Sequence, residues 1–136
     1  MDIEMKLTQE TDYALRLVFA FAQLEPGCYL TAREIADSQH IPYRFLLRVI
    51  TKLKKEGIIA SRQGVDGGYR LGRPRAEISL KNVIEAIDGP IHINRCLKST
   101  SLCNGDFAAV CRVHKALASV QENLLQDLRS RNFETI

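Results

Sequence analysis

Apolar residues recur along this chain with two different periods, and the changes between them set out an order of elements. Tyr13, Leu17, Ala20, Phe21 and Leu24 fall at helical spacing, the stripe that a helix turns toward a core. Thr8 is placed to cap that helix, and Glu10 and Asp12 put negative charge where the dipole favours it. Pro26-Gly27 ends it. Thr31 and Glu34 make a capping box for a short helix carrying Ile35 and Ala36, which stops near Gln39-His40. Ile41 then precedes Pro42, a residue suited to the first position of a further helix. Phe45, Leu46, Val49, Ile50 and Leu53 keep three-and-four spacing up to Gly57. Two helices of unequal length joined by a turn of three or four residues predict a helix-turn-helix.

The period then shortens. Ile58-Ile59-Ala60-Ser61 and Tyr69-Arg70-Leu71 are strand candidates around Gly64-Val65-Asp66-Gly67-Gly68, which predicts a hairpin. Helical spacing returns behind Ser79 with Leu80, Val83, Ile84 and Ile87, and Gly89-Pro90 stops it. Val110, Val113, Leu117, Val120, Leu124 and Leu128 form a last seam of coiled-coil character. The fold class expected is mainly α with a small β wing: a winged helix-turn-helix domain plus a long C-terminal dimerisation helix. The winged domain is assigned to residues 1–90, with the recognition helix at about 42–56 and the wing at about 58–72. Residues 91–109 form a cysteine-bearing loop, and residues 110–136 a helix and tail expected to pair with a second copy.

Charge sharpens this picture. The 136 residues carry a net +3, which says little until it is divided. Residues 1–43 hold three basic and seven acidic side chains, residues 44–75 nine and two, and residues 76–136 seven of each. The positive charge is thus concentrated on the second helix of the motif and the hairpin behind it, as a nucleic-acid footprint would be. The residues expected to meet duplex DNA are Thr31, Tyr43, Arg44, Leu47, Arg48, Thr51, Lys52, Lys54, Arg62, Gln63, Gly64 and Arg70. Arg44 and Arg48 suit bidentate contacts to guanine or phosphate, whereas Lys52, Lys54 and Lys55 suit the backbone. No phosphate loop, nucleotide fingerprint or Ser/His/Asp pattern is present, and no enzyme is expected. His40 and His92 stand isolated.

Three of the four cysteines, Cys96, Cys103 and Cys111, fall in one short stretch, and His114 follows the last by three positions. Only polar and small residues and Leu97 and Leu102 lie between the first two, without the periodicity of a helix or strand. The chain opens Met-Asp-Ile-Glu-Met-Lys without the apolar run of a signal peptide, and no stretch has the length of a membrane span. A cytoplasmic, reducing setting is expected, where clustered cysteines bind metal or sense redox state rather than form structural disulfides. Three thiolates on one loop can converge on a metal centre. Zinc on a Cys3His set is one reading, although the gaps of six and seven residues are not those of a short zinc knuckle. A metal-free thiol-redox regulator is another. Cys28 is expected to be a small, partly buried residue.

In this order, the helix-turn-helix, the wing and the cysteine loop resemble the Rrf-two family of bacterial regulators, over nearly the whole chain. The pieces that carry the resemblance are Leu7-Thr8-x-x-Thr11-Asp12-Tyr13-Ala14-Leu15-Arg16, Gly64-Val65-Asp66-Gly67-Gly68-Tyr69-Arg70-Leu71-Gly72 and the Cys96/Cys103/Cys111 set. The family includes IscR-like and NsrR-like sensors of iron–sulfur supply or nitric oxide. The resemblance implies a homodimeric regulator of operator DNA, with an iron–sulfur cluster, [2Fe-2S] or [4Fe-4S], on the three cysteines. The fourth ligand is His114 by the IscR-like pattern, or Asp12 of the partner subunit by the NsrR-like one. A glutamate that helps set sequence preference in IscR-like proteins is replaced by Leu47 here.

Overall fold

The structure, a computed structural model, describes residues 7–99 and 111–136. The first stripe winds into α1 (Gln9–Ala22), which turns Ala14, Leu17, Val18 and Phe21 inward. Thr8 caps it as expected, its hydroxyl accepting from the Thr11 N–H at 3.1 Å. In α2 (Ala32–Gln39) both halves of the Thr31–Glu34 capping box are made. Helix α3 (Tyr43–Lys55) follows after three residues, with Leu46, Val49, Ile50 and Leu53 buried. His40 takes the left-handed conformation at the end of α2 (φ 54°, ψ 44°), which turns the chain, and buried Ile41 anchors the turn. Core-facing residues of α1, α2 and α3 thus share one apolar cluster with Ile58, Ile59, Ile78, Val83 and Ile87, which leaves the basic face of α3 outside.

Strands β1 (Ile59–Arg62) and β2 (Gly68–Leu71) pair antiparallel, with Ile59 opposite Leu71 and Arg62 opposite Gly68. A further rung, on the other side of β2, was not legible in the sequence: Leu30 pairs with Tyr69, exchanging N–H···O bonds of 3.0 and 2.7 Å. Leu30 lies on the segment that enters α2, so the wing is seated on the helix-turn-helix itself. This pairing explains Gly68. Its φ is +148°, and a Cβ there would stand 2.6 Å from the Leu30 carbonyl oxygen. Gly68→Ala is therefore expected to cost about 1–3 kcal/mol by forcing this rung apart. Thermal unfolding checks it; an unchanged melting temperature would show that the wing does not lean on Leu30.

A single 3-10 turn (Arg75–Glu77) leads into α4 (Leu80–Asp88), capped by Ser79, whose hydroxyl accepts from the Asn82 N–H. The pattern between Cys96 and Cys103 suggested no regular structure around them, yet α5 (Arg95–Lys98) winds one turn that includes Cys96. Asn94 starts it by accepting from the Arg95 N–H through its side chain, a local cap that apolar periodicity cannot report.

Helix α6 (Arg112–Ser130) is the longest element and buries none of its residues fully. The chain then returns to the winged core. Leu80 donates to the Arg131 carbonyl at 2.9 Å, Phe133 donates to the Ile78 carbonyl at 3.1 Å, and Phe133 is only 2% exposed. One aromatic after a helix has no periodicity to betray it, so this docking was also missed. Among the described residues no helix is long and apolar enough to cross a membrane.

Candidate nucleic-acid interface and cysteine site

Once α3 has spent its apolar side on the core, Tyr43, Arg44, Leu47, Arg48, Thr51 and Lys54 are left exposed. Leu47 is 39% and Tyr43 40% exposed, so apolar surface lies among the cations, as a groove-entering helix uses against base methyl groups and sugars. The arginines are held rather than loose. Arg44 and Arg48 both lie 5.4 Å from the centroid of the Phe45 ring. Arg33, from α2, lies 4.7 Å from the Tyr43 ring. Arg62 and Arg70, one from each strand of the wing, lie 5.5 and 5.0 Å from the ring of Tyr29. Guanidiniums held against rings keep their donors free for phosphate or base edges and lose less side-chain entropy on binding. Arg33 and Tyr29 belong to this face, and sequence reasoning missed both. Each lies outside the basic span, and only the Leu30 rung and the α2–α3 packing bring them in.

The remaining expected contacts divide. Gln63 and Gly64 are exposed at the wing, beside Val65 at its tip. Thr51 donates its hydroxyl to the Leu47 carbonyl at 2.8 Å, and the Thr31 hydroxyl is used in capping α2. Lys52 points elsewhere: its Nζ lies 3.2 Å from each carboxylate oxygen of Glu10, on α1. Asp12 is exposed and pairs with Arg16, one turn on, at 3.4 Å.

Of the cysteine set, Cys103 lies outside the described residues, as do residues 100–110. Cys96 and Cys111 stand at the two edges of that stretch, half-buried and unbridged. Cys111 is the cap of α6, its sulfur accepting from the His114 N–H at 3.4 Å. Cys96 takes a bond from the Asn94 amide at 3.5 Å. His114 Nδ1 is buried and lacks a hydrogen-bond partner among the described residues, and the same is true of His92 Nδ1. No group of three or more His, Cys, Asp or Glu placed to hold a metal is found among the described residues. Cys28 is exposed, not partly buried as expected, because Pro26-Gly27 carries it out on the loop between α1 and α2.

A helix-turn-helix with an attached hairpin, both lined with arginine, defines a winged-helix regulator of transcription. The chain belongs to the Rrf2 family, whose model, described as an iron-dependent transcriptional regulator, matches residues 7–136. Its relatives are regulators and not enzymes. A Mycobacterium tuberculosis protein named as an HTH-type transcriptional regulator is 31% identical over 90% of this chain and 77% of its own. One from Haemophilus influenzae, named likewise, is 36% identical over 74% of this chain and 67% of its own. The fold is also that of CymR, the global cysteine regulator of B. subtilis (TM-score 0.75, 20% identity, 96% of this chain and 95% of that one). It is equally that of T. potens IscR (TM-score 0.75, 20% identity, 96% and 84%).

Proposed function

We propose that this regulator works in the cytoplasm as a homodimer on double-stranded operator DNA, and that an iron–sulfur cluster on Cys96, Cys103 and Cys111 governs its grip. The winged domain of residues 1–90 would read the operator and residues 91–109 would carry the cofactor. The helix of residues 110–136 would hold the two copies together. The observation that carries the sensing half is the start of α6. There a thiol caps a helix, and three residues on, a buried imidazole nitrogen has no partner among the described residues. A buried polar atom left unsatisfied is disfavoured by about 1–3 kcal/mol, and bonding to a metal would satisfy it. The donors fit: soft thiolates are the usual iron–sulfur ligands, and imidazole can replace thiolate on a cluster iron. His114, or Asp12 of the partner subunit, would complete it.

When bound, the cluster supplies a centre that oxidant, nitric oxide or iron shortage can remove. The chain's own part is mechanical. Ligated thiols tie α5 to the first turn of α6 and so restrain the distance between the two winged domains. Two recognition helices must lie about one DNA turn apart to enter successive major grooves, so a shift of a few ångströms separates gripping from slack.

A second reading draws on the similarity to CymR, named the global cysteine regulator in B. subtilis and solved in an oxidized form from Staphylococcus aureus. In it the three thiols sense oxidants without metal. Anaerobic purification with iron, sulfide and zinc assays separates these readings. The expected result is iron with acid-labile sulfide and visible absorption, lost in Cys103→Ala and in one of His114→Ala or Asp12→Ala. A colourless protein that holds zinc or no metal would overturn the cluster.

A further inference from the structure

The first turn of α1 and its cap make polar links to two other helices, and the DNA-reading surface accounts for neither. In one direction it meets the end of α4. Asp88 accepts from the Thr11 hydroxyl at 2.6 Å through Oδ2, and from the Thr8 hydroxyl at 2.9 Å through Oδ1. Thr11 is fully buried. In the other direction Glu10, with a side chain only 21% exposed, is paired to Lys52 of α3 at 3.2 Å.

The position of Asp88 runs against local preference. It is the last residue of α4, where the helix dipole disfavours a carboxylate. That same carboxylate lies at the N-terminal end of α1, where negative charge is favoured. So Asp88 is misplaced for its own helix and well placed for another. It is also the last residue before Gly89-Pro90 and the run to α5 and Cys96, whose path is tied to α6 by the Ile93 N–H donating to Gln121 Oε1 at 2.9 Å. Lys52, at the other end, lies in the C-terminal half of the helix that carries Arg44 and Arg48.

We infer that Thr11, Asp88, Glu10 and Lys52 form a positioning relay that passes movement of the cysteine segment to the recognition helix through the first turn of α1. The inference rests on the proposed sensing role of the cysteines. A pull on the residues after Gly89 moves Asp88. Its bond from the buried Thr11 hydroxyl, the shorter of the two, carries α1 along, and the Glu10–Lys52 pair turns α3 about its core contacts. In this relay Lys52, paired to Glu10, acts by setting where Arg44 and Arg48 point. It also explains why a lysine on the basic helix is committed to a carboxylate.

The test compares operator affinity of the anaerobically purified protein with that of its Cys103→Ala form, in wild type and in relay variants. Allosteric couplings of ordinary size give a ratio of about 5–150 between two such forms. Thr11→Val keeps the shape of the buried side chain and removes the hydroxyl; Lys52→Met cuts the link at α3. Each is expected to bring the ratio within about twofold of one, and the double variant to do no more than either alone, because both break one path. A merely structural clasp would instead weaken both forms equally and leave the ratio intact, and that outcome overturns the relay. If Thr11→Val does not fold, Lys52→Met, altered at a partly exposed position, carries the same test. A wild-type ratio of one would instead sink the sensing role itself, and the relay with it.

Discussion

Arg48→Ala is expected to weaken operator binding by about 1–3 kcal/mol for each half-site, and so by about 2–6 kcal/mol in a two-fold complex. Arg48 is exposed on α3, and its guanidinium lies against the ring of Phe45, which also holds Arg44. Its removal takes away a cation whose geometry is already set, so no later ordering makes up the difference. Because the residue is exposed, stability should change by no more than about 0.5 kcal/mol, and a thermal melt separates weakened binding from a weakened fold. The form of the effect is informative. If Arg48 reads a guanine, the variant relaxes sequence preference at one position. If it grips a phosphate, the salt slope falls by about one per half-site at unchanged preference. Fluorescence anisotropy on specific and random duplexes, over a range of salt, distinguishes the two. Unaltered affinity on both would remove α3 from the interface.

Val120→Glu carries the other large effect. Val113, Val120 and Leu124 are 65%, 56% and 37% exposed along α6, at spacings of seven and four that put them on one side of the helix. Among the described residues little covers that stripe: α6 has no fully buried residue, and the chain past it docks Phe133 elsewhere. A second copy of the helix is the cover proposed. A carboxylate at Val120 would face its own counterpart across a two-fold seam, where burying unpaired like charge is prohibitive. The expected outcome is a monomer by sedimentation with an intact melt of the winged core. Operator affinity should fall by about 10²–10⁴, since each half-site is then bound without the other. A variant that remains dimeric would place the interface off this stripe.

What could be read from the sequence followed from what each element depends on. Helices α1, α2, α3 and α4 are set by apolar spacing and by caps within a few residues, and Thr8, Thr31, Ser79 and Gly57 are as legible in one dimension as in three. The hairpin announced itself through its glycines. Features that depend on distant partners were not legible. Leu30 pairs with Tyr69 across 39 positions, the Phe133 N–H finds the Ile78 carbonyl, and Asp88 reaches back to Thr8 and Thr11. In each case one residue makes the contact, and a single residue has no period. The proposed DNA face was read from charge, which pointed to Arg44, Arg48, Arg62 and Arg70. Charge alone could not show that Lys52 faces Glu10, or that the rings of Tyr29 and Phe45 hold the arginines. The cysteine set was legible as spacing along the chain, and of its members Cys96 and Cys111 are described while Cys103 lies outside the described residues.

Whether a group held by Cys96, Cys103 and Cys111 alters the hold on DNA decides between a sensor and a plain DNA-binding dimer. The most direct measurement is a titration of operator duplex with anaerobically purified protein, its iron content known, before and after the iron is chelated. The predicted result is a change in affinity of about 5–150-fold on iron removal, absent in Cys103→Ala, with the dimer intact throughout. Equal affinity before and after removal, or protein that switches on oxidant while never having held iron, would contradict it.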